Sequence, residues 1–263
     1  MKILTLCLIC LCIPAAAAAQ REKQPQGNTR GNLRVETISI PKQVSDDFVR
    51  LNSDLLLYHP VKAGEEPSPL VIFLHGSGGS RRAIERAKWS GEVKTFVSPA
   101  PGIPSAYVLV PQSKGEWDPG SLDRMLDYVL EENPRIDRNR IYCIGYSMGG
   151  KGTWEWAMNS PHRFAAIVPK GFIPDLTKLD QMVSLPIWAM VGSNDTRARS
   201  QGIPAMKHAL VELGSTVVRT TVFEGANHAT AAGKSKQQKG VYEWLFSHRL
   251  PRSNASPVRT KSQ

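Results

Sequence analysis

The chain has few cysteines, and their positions leave it without a disulfide. Of the four cysteines in 263 residues, three lie within the first 12 and only Cys143 lies in the remainder. One thiol cannot form an internal disulfide, so a disulfide-bonded scaffold is excluded and the fold must depend on a packed core. About 240 residues suffice for one large domain with such a core. Because Cys143 lies inside an apolar run, we interpret it as a packing residue and not as a nucleophile.

Long hydrophobic runs are also scarce, and the only one lies at the N-terminal end. MKILTLCLICLCIPAAAAAQ has a basic residue at position 2, an apolar centre and a small-residue end. This is the pattern of a secretory signal peptide, so we expect residues 1–19 to be removed and the protein to be exported to the periplasm or the medium. The apolar centre is too short to span a bilayer and no later run is apolar enough, so no integral membrane segment is predicted. The polar residues 20–32 are expected to form a disordered leader.

Acidic residues are outnumbered, and aromatic residues make up only 7% of the chain. The 33 Lys and Arg residues against 23 Asp and Glu residues give a formal net charge of +10. Residues 251–263 contain basic but no acidic residues, and we expect them to form a disordered tail. Such charge favours anionic surfaces or acidic polymers. No row of aromatic residues is interleaved with the basic ones, however, so nucleic-acid binding is not predicted.

Two common kinds of cofactor site are missing from the sequence. There is no GxxxxGK[ST] pattern, which argues against a phosphate-binding loop. None of the six histidines pairs with a second histidine and a nearby carboxylate at the spacing of a metal site. We therefore predict no metal and no cofactor.

Short apolar runs of the strand type alternate with helical patterns along most of the chain. The runs that indicate strands are 33–40, 55–60, 70–74, 106–110, 141–144, 165–169, 185–191 and 217–223. Helical spacing indicates helices over 121–132, 150–159, 202–213 and 235–249. This alternation predicts an α/β fold with a mainly parallel central sheet and helices on both faces, in one domain over residues 33–250.

One serine stands between glycines directly after a predicted strand. In IYCIGYSMGG the apolar run 141–144 is followed by a small-residue pattern centred on Ser147, and a predicted helix follows. Small residues two positions before and after a nucleophile allow the sharp turn that lifts its hydroxyl above the sheet edge. We therefore predict Ser147 as a nucleophile, provided that partners for it occur elsewhere in the chain.

Asp195 and His228 each come a few residues after a later predicted strand. Functional groups gather at the carboxyl ends of parallel strands, so we expect both side chains near Ser147. A hydroxyl needs a base to take its proton, an imidazole suits that role, and a carboxylate fixes the imidazole tautomer. The order Ser147, Asp195, His228 is the order of an α/β-hydrolase triad. Asp175 and Glu224 are alternative acids, but only Asp195 has the expected position at a strand end.

The glycine-rich loop LHGSGGS follows the predicted strand 70–74 and can serve as an oxyanion loop. A tetrahedral intermediate needs N–H donors, and we predict the backbone N–H groups of Met148 and Ser77. Gly76 and Trp117 are predicted to lie at the substrate pocket, which we expect the loops 81–105 and 112–120 to build. For Trp154, a place in the pocket and core packing are equally good interpretations.

Several segments together resemble a known group. The group is the exported "predicted peptidase" esterases of the α/β-hydrolase superfamily, and the segments that resemble it are LVIFLHGSGG, YVLVPQSKGEW, DRNRIYCIGYSMGGKGTWEWAMNSPHRFAAIVP, LPIWAMVGSNDT and FEGANH. These esterases are relatives of the phospholipase/carboxylesterase, feruloyl-esterase and polyhydroxybutyrate-depolymerase groups. The resemblance implies a serine ester hydrolase without a cofactor, with Ser147 as nucleophile, Asp195 as acid and His228 as base. It implies a small-molecule or polymer-linked ester as substrate, and it leaves the acyl group and the oligomeric state open.

The chain departs from that group directly after two of the predicted catalytic residues. It has Thr196-Arg197-Ala198-Arg199 after the acid and Ala229-Thr230-Ala231 after the histidine. These residues suggest a substrate rim that tolerates anions. Three alternatives stay open at this point: a serine peptidase with the same triad, a non-catalytic binding protein with a hydrolase fold, and a protein that acts through its basic surface.

Overall fold

A computed structural model describes residues 28–80, 82–89 and 91–251. The predicted signal peptide, the predicted leader up to residue 27 and the predicted basic tail from residue 252 lie outside the described residues. Among the residues that the structure describes, no helix combines the length and the apolar character needed to cross a bilayer.

One twisted sheet organises the described part of the chain. Its nine strands are β1 Thr29–Arg30, β2 Leu33–Ser39, β3 Asp54–Pro60, β4 Ser68–Leu74, β5 Tyr107–Val110, β6 Ile136–Tyr146, β7 Ala166–Lys170, β8 Ile187–Gly192 and β9 Val218–Phe223. The strand order is β1-β2-β3-β5-β4-β6-β7-β8-β9. In this order, neighbouring strands from β1 to β5 pair antiparallel, and neighbouring strands from β5 through β4 to β9 pair parallel.

Helices lie between most of the parallel strands. They are α1 Lys42–Ser45, α2 Lys94–Val97, α3 Pro119–Glu132, α4 Met148–Asn159, α5 Arg197–Glu212, α6 His228–Gln237 and α7 Val241–Phe246. Asp118 caps the N-terminus of α3, because its carboxylate accepts the Ser121 N–H at 2.8 Å, and Pro119 fits the first helical position.

The two faces of the sheet carry separate cores. In β4, Leu70, Ile72 and Leu74 pack into one core, and the alternate residues Val71 and Phe73 pack into the other. Helices α3, α4 and α5 contribute to the first core, and α2 and α7 contribute to the second. The predicted fold class, a mainly parallel sheet with helices on both faces, is confirmed.

The structure corrects the sequence prediction in two places. The end of the predicted leader is not disordered: Thr29–Arg30 pairs with β2, and the Asn32 N–H donates to the Val97 carbonyl at 2.9 Å. Composition did not indicate this because β1 and β2 form a short hairpin through backbone groups, which any residue type supplies, and because the Asn32 bond goes to a residue that is distant in sequence. The helix predicted over 235–249 is divided into α6 and α7 at Gly240, whose φ of 78° breaks the helical backbone.

A buried ion pair joins β7 to the short 3-10 helix Gly91–Val93, which precedes α2. Lys170 Nζ lies 2.7 Å from Glu92 Oε1, and the Lys170 side chain is only 2% exposed. The Tyr242 hydroxyl of α7 donates to the other oxygen, Glu92 Oε2, at 2.7 Å. Burial raises the pKa of Glu92, but the charge and hydrogen bond of Lys170 outweigh it, so the pKa is lowered overall. Three segments of the chain therefore meet at one ionised carboxylate.

Breaking this pair from one side is expected to destabilise the protein strongly. Lys170→Met leaves a buried carboxylate without its counter-charge, which lowers the free energy of unfolding by about 3–5 kcal/mol. Urea unfolding of Lys170→Met, Glu92→Gln and the double variant measures this. The double variant should recover part of the loss, and a double variant as unstable as the sum of the two single ones would contradict the pairing.

The same pair predicts a pH dependence of stability. The pKa of Glu92 is lower in the folded protein than its unfolded value of about 4.3. Its contribution is therefore complete above that value and is lost as the pH falls through the lower, folded pKa. Unfolding curves of the wild type below pH 5 should show this loss, and Glu92→Gln should flatten it.

Candidate active site

Ser147 occupies a strained turn between β6 and α4. Its φ of 58° and ψ of −118° are unusual for a residue other than glycine, and its N–H donates to the Lys170 carbonyl at 2.9 Å. A Cβ on Gly145 would overlap the Gly149 carbonyl, and one on Gly149 would overlap the Leu74 carbonyl. Glycine is required at both positions because β4, β6 and α4 approach one another here. The turn presents the Ser147 hydroxyl at the carboxyl edge of the sheet.

The structure brings the three residues predicted as a triad into one hydrogen-bonded chain. Ser147 Oγ lies 2.8 Å from His228 Nε2, and His228 Nδ1 lies 2.6 Å from Asp195 Oδ2. His228 is the first residue of α6, which begins with a capping box between Asn227 and Thr230. The Tyr146 hydroxyl donates to the His228 carbonyl and so ties α6 to the end of β6.

The carboxylate at the far end of this chain is enclosed. The Asp195 side chain is 1% exposed, and its Oδ1 accepts the Thr196 N–H at 2.7 Å and Arg199 Nη1 at 3.2 Å. Burial raises the pKa of Asp195, but the hydrogen bonds from His228 and Thr196 outweigh it and hold the pKa below its ordinary value. An ionised carboxylate can only accept, so His228 carries its proton on Nδ1. Nε2 is then free to accept the proton of the Ser147 hydroxyl.

The predicted oxyanion loop lies beside the serine. Ser77 begins a 3-10 helix over Ser77–Gly79 and Met148 begins α4, so neither N–H has a partner within its own helix. A Cβ on Gly76 would lie 3.5 Å from the Ser147 Cβ, which places this loop against Ser147. The arrangement is suited to holding a negatively charged oxygen between the two N–H groups.

His75 supports that loop from behind. The Ser113 N–H donates to His75 Nε2 at 3.1 Å, and His75 Nδ1 lies 2.8 Å from the Gly76 carbonyl. Burial lowers the pKa of His75, so the neutral ring accepts one hydrogen bond and donates the other. The loop backbone is therefore fixed without a charge beside the site.

The two tryptophans considered for the pocket are core residues. Trp117 is 3% exposed, packs against the tilted His75 ring at a centroid distance of 4.7 Å and donates to the His75 carbonyl at 3.1 Å. Trp117 also lines a cavity together with Val49 and Pro119, so its predicted place at the substrate pocket stays a prediction. Trp154 is fully buried and donates to the Phe172 carbonyl at 3.1 Å. Of the two interpretations of Trp154, this agrees with core packing.

The alternative acids lie in other environments. Asp175 caps the 3-10 helix Leu176–Met182 by accepting the Thr177 N–H, and it is exposed to solvent. Glu224 is also exposed, and its carbonyl accepts a hydrogen bond from Lys234. Of the three acids considered, Asp195 is the one placed at the imidazole.

A cavity of about 340 Å³ lies beside the oxyanion loop. Its wall includes Gly76, Tyr146 and the apolar side chains Phe73, Ile84, Val93 and Ile144. The loop 81–105 contributes as expected, whereas the loop 112–120 supplies only Gln112. Within the described part of the chain, no cluster of three or more His, Cys, Asp or Glu side chains could hold a metal ion.

Arg199 is the site residue whose position sequence reasoning missed. The run after Asp195 suggested a basic rim, but Arg199 turns inward and contacts both Asp195 and His228. A signal was present: Asp195 and Arg199 are four residues apart at the start of a helix, a spacing that brings side chains together. Arg197, in contrast, is exposed and donates to Gln201.

Comparison with known proteins gives one family match and several similar structures. The family model described as "Dienelactone hydrolase family" matches residues 119–244. A thermostable esterase is 24% identical with a TM-score of 0.61, over 83% of this chain and 63% of that chain. The acylaminoacyl peptidase of Pyrococcus horikoshii is 15% identical with a TM-score of 0.62, over 88% and 43%. An S-formylglutathione hydrolase from Agrobacterium tumefaciens is 17% identical with a TM-score of 0.57, over 85% and 98%. The chain thus spans less than two thirds of the length of the first two of these proteins, the esterase and the peptidase.

Proposed function

We propose that this protein, which has the α/β-hydrolase fold, is a serine hydrolase that cleaves carboxylic esters through Ser147, His228 and Asp195. The observation that carries the proposal is the unbroken hydrogen-bonded chain from Ser147 Oγ through the imidazole to Asp195 Oδ2. The dienelactone hydrolase family match and the esterases among the similar structures support hydrolysis of an ester.

The proposed reaction is acyl transfer in two steps. Ser147 Oγ attacks the ester carbonyl while His228 Nε2 takes its proton, and Asp195 stabilises the imidazolium that forms. The N–H groups of Met148 and Ser77 stabilise the oxyanion, and the partial positive charge at the N-terminus of the 12-residue helix α4 adds to this. His228 then returns the proton to the leaving alcohol. Water releases the acid from the acyl-enzyme by the same route, and only groups of the chain and water take part.

The cavity beside the oxyanion loop is proposed to hold the acyl or alcohol part of the substrate. Its side chains are mostly apolar, and a volume of about 340 Å³ is at the lower end of the range of small-molecule pockets. An apolar group of moderate size fits this wall better than a highly charged one.

Fluorophosphonate labelling and hydrolysis of p-nitrophenyl esters test the proposal. The full chain should hydrolyse the esters, take up one fluorophosphonate and carry it on the peptide that contains Ser147. A label on another residue, or a folded protein that neither labels nor turns over, would exclude the proposed function. Aminoacyl p-nitroanilides run beside the esters decide between the two serine-hydrolase alternatives, because a higher kcat/KM for the amides would make the protein a peptidase.

A further inference from the structure

Arg199 is held against the acid and the base of the proposed triad. It lies in the first turn of α5, and Nη1 is 3.2 Å from Asp195 Oδ1 and 3.3 Å from His228 Nδ1. Its guanidinium also lies over the ring of Phe172, 5.0 Å from the centroid. The side chain is 26% exposed, so solvent reaches it only in part.

Of the two contacts that Arg199 Nη1 makes, the one with Asp195 is attractive and the one with His228 Nδ1 is repulsive. A guanidinium can only donate, and His228 Nδ1 already carries a proton because it donates to Asp195 Oδ2 at 2.6 Å. The approach of Nη1 to Nδ1 therefore brings two donors together and is not a hydrogen bond. Its favourable partner is Asp195, whose negative charge Arg199 shares with the imidazole. When His228 takes a proton on Nε2, a second positive charge appears beside the guanidinium.

We infer that Arg199 is a positioning residue: it orients Asp195, and its charge opposes protonation of His228, so that the base stays neutral to a lower pH. The inference rests on the proposed function, since it assigns His228 the role of base. The proposed effect comes from the charge of Arg199 acting on His228. A direct contact between Arg199 and the substrate would instead change substrate binding.

The other charged or titratable groups around His228 do not supply this effect. Tyr146 packs against the ring from β6 at a centroid distance of 5.1 Å, and burial raises its pKa to about 12, so it is neutral. On α6 itself, Lys234 donates to the Glu224 carbonyl, and Lys236 acts on the charge of Glu92 across the cavity. Asp195 and Arg199 are the two ionised groups in contact with the imidazole among the residues described.

The pH dependence of kcat/KM for a neutral ester tests the inference. In Arg199→Gln the midpoint of the acid limb should rise by about one pH unit, the lower end of the effect of a nearby charge. Arg199→Lys, which keeps a charge, should stay closer to the wild type. Arg197→Gln removes a charge from the same turn without touching the triad and should leave the profile unchanged. In 1 M salt the wild-type midpoint should move towards that of Arg199→Gln, because Arg199 is partly exposed.

The possible outcomes separate this inference from the proposed function. An NMR titration of the His228 ring in the wild type and Arg199→Gln should show the same shift without turnover. An active wild type whose acid limb is unaffected by Arg199→Gln and by salt would overturn the inference alone. If Arg199→Gln left the acid limb unchanged but raised the KM for a carboxylate-bearing ester, the inference would also be overturned and Arg199 would be a substrate contact. A wild type without turnover or label would overturn the proposed function instead, and the NMR titration would still decide the effect of Arg199 on the ring.

Discussion

Replacing Ser147 by Ala is expected to lower kcat for ester hydrolysis by about 10⁵–10⁶-fold. The alanine lacks the oxygen that would bond to the acyl group, so water would have to attack the substrate directly. The residual rate should still exceed the uncatalysed one, because the N–H groups of Met148 and Ser77 do not depend on the Ser147 side chain. Fluorophosphonate labelling should vanish together with turnover.

The fold of Ser147→Ala should be unchanged, which makes the result interpretable. Alanine at a φ of 58° carries the same backbone strain as serine, and the Ser147 N–H that donates to the Lys170 carbonyl is retained. Ser39→Ala is the matched control, since it removes only the hydrogen bond of an exposed β2 hydroxyl to Asp54. A Ser147→Ala variant that keeps more than a hundredth of the wild-type kcat would exclude Ser147 as the nucleophile.

Replacing Asp195 by Asn is expected to lower kcat by about 10⁴-fold. The amide can donate to His228 Nδ1, and Arg199 Nη1 at 3.3 Å can donate there as well. Both interactions favour the tautomer with the proton on Nε2, which cannot take the proton of Ser147. The loss should therefore appear in kcat rather than in KM, and steady-state kinetics on a neutral ester measure it.

Asp175→Asn and Glu224→Gln are the matched controls for the acid. Both residues are exposed, and neither side chain is placed at the imidazole, so both variants should keep wild-type kcat. A large loss in either one, combined with a loss below tenfold in Asp195→Asn, would reassign the acid. This outcome would also remove the physical basis of the effect proposed for Arg199.

The position of the site could be predicted from sequence because it follows from topology. Parallel strands place their carboxyl ends at one edge of the sheet, and Ser147, Asp195 and His228 each follow such a strand. Their chain order and the glycines around Ser147 then restrict the arrangement to few alternatives. The distances among them needed the structure, since the loops after β8 and β9 set the side-chain directions.

Other residues could not be placed from local patterns. An aromatic residue looks the same in the sequence whether it lines a pocket or packs into the core, and only the structure shows that Trp117 is buried and donates to the His75 carbonyl. Arg199 looked like part of a basic rim because its inward direction depends on where α5 begins relative to Asp195. The pairing of Thr29–Arg30 with β2 uses backbone groups, which any residue type could supply, so the side chains gave no signal for it.

The link between Lys170 and Ser147 affects how the specificity of this protein could be engineered. The Lys170 carbonyl accepts the Ser147 N–H, and its ammonium group holds Glu92, which is itself part of the cavity wall. A library that randomises this wall to accept new substrates would therefore also disturb the backbone at Ser147, the proposed nucleophile. Variants without Glu92 should lose turnover on every substrate alike, so a selection for altered preference should keep Glu92 and vary its apolar neighbours.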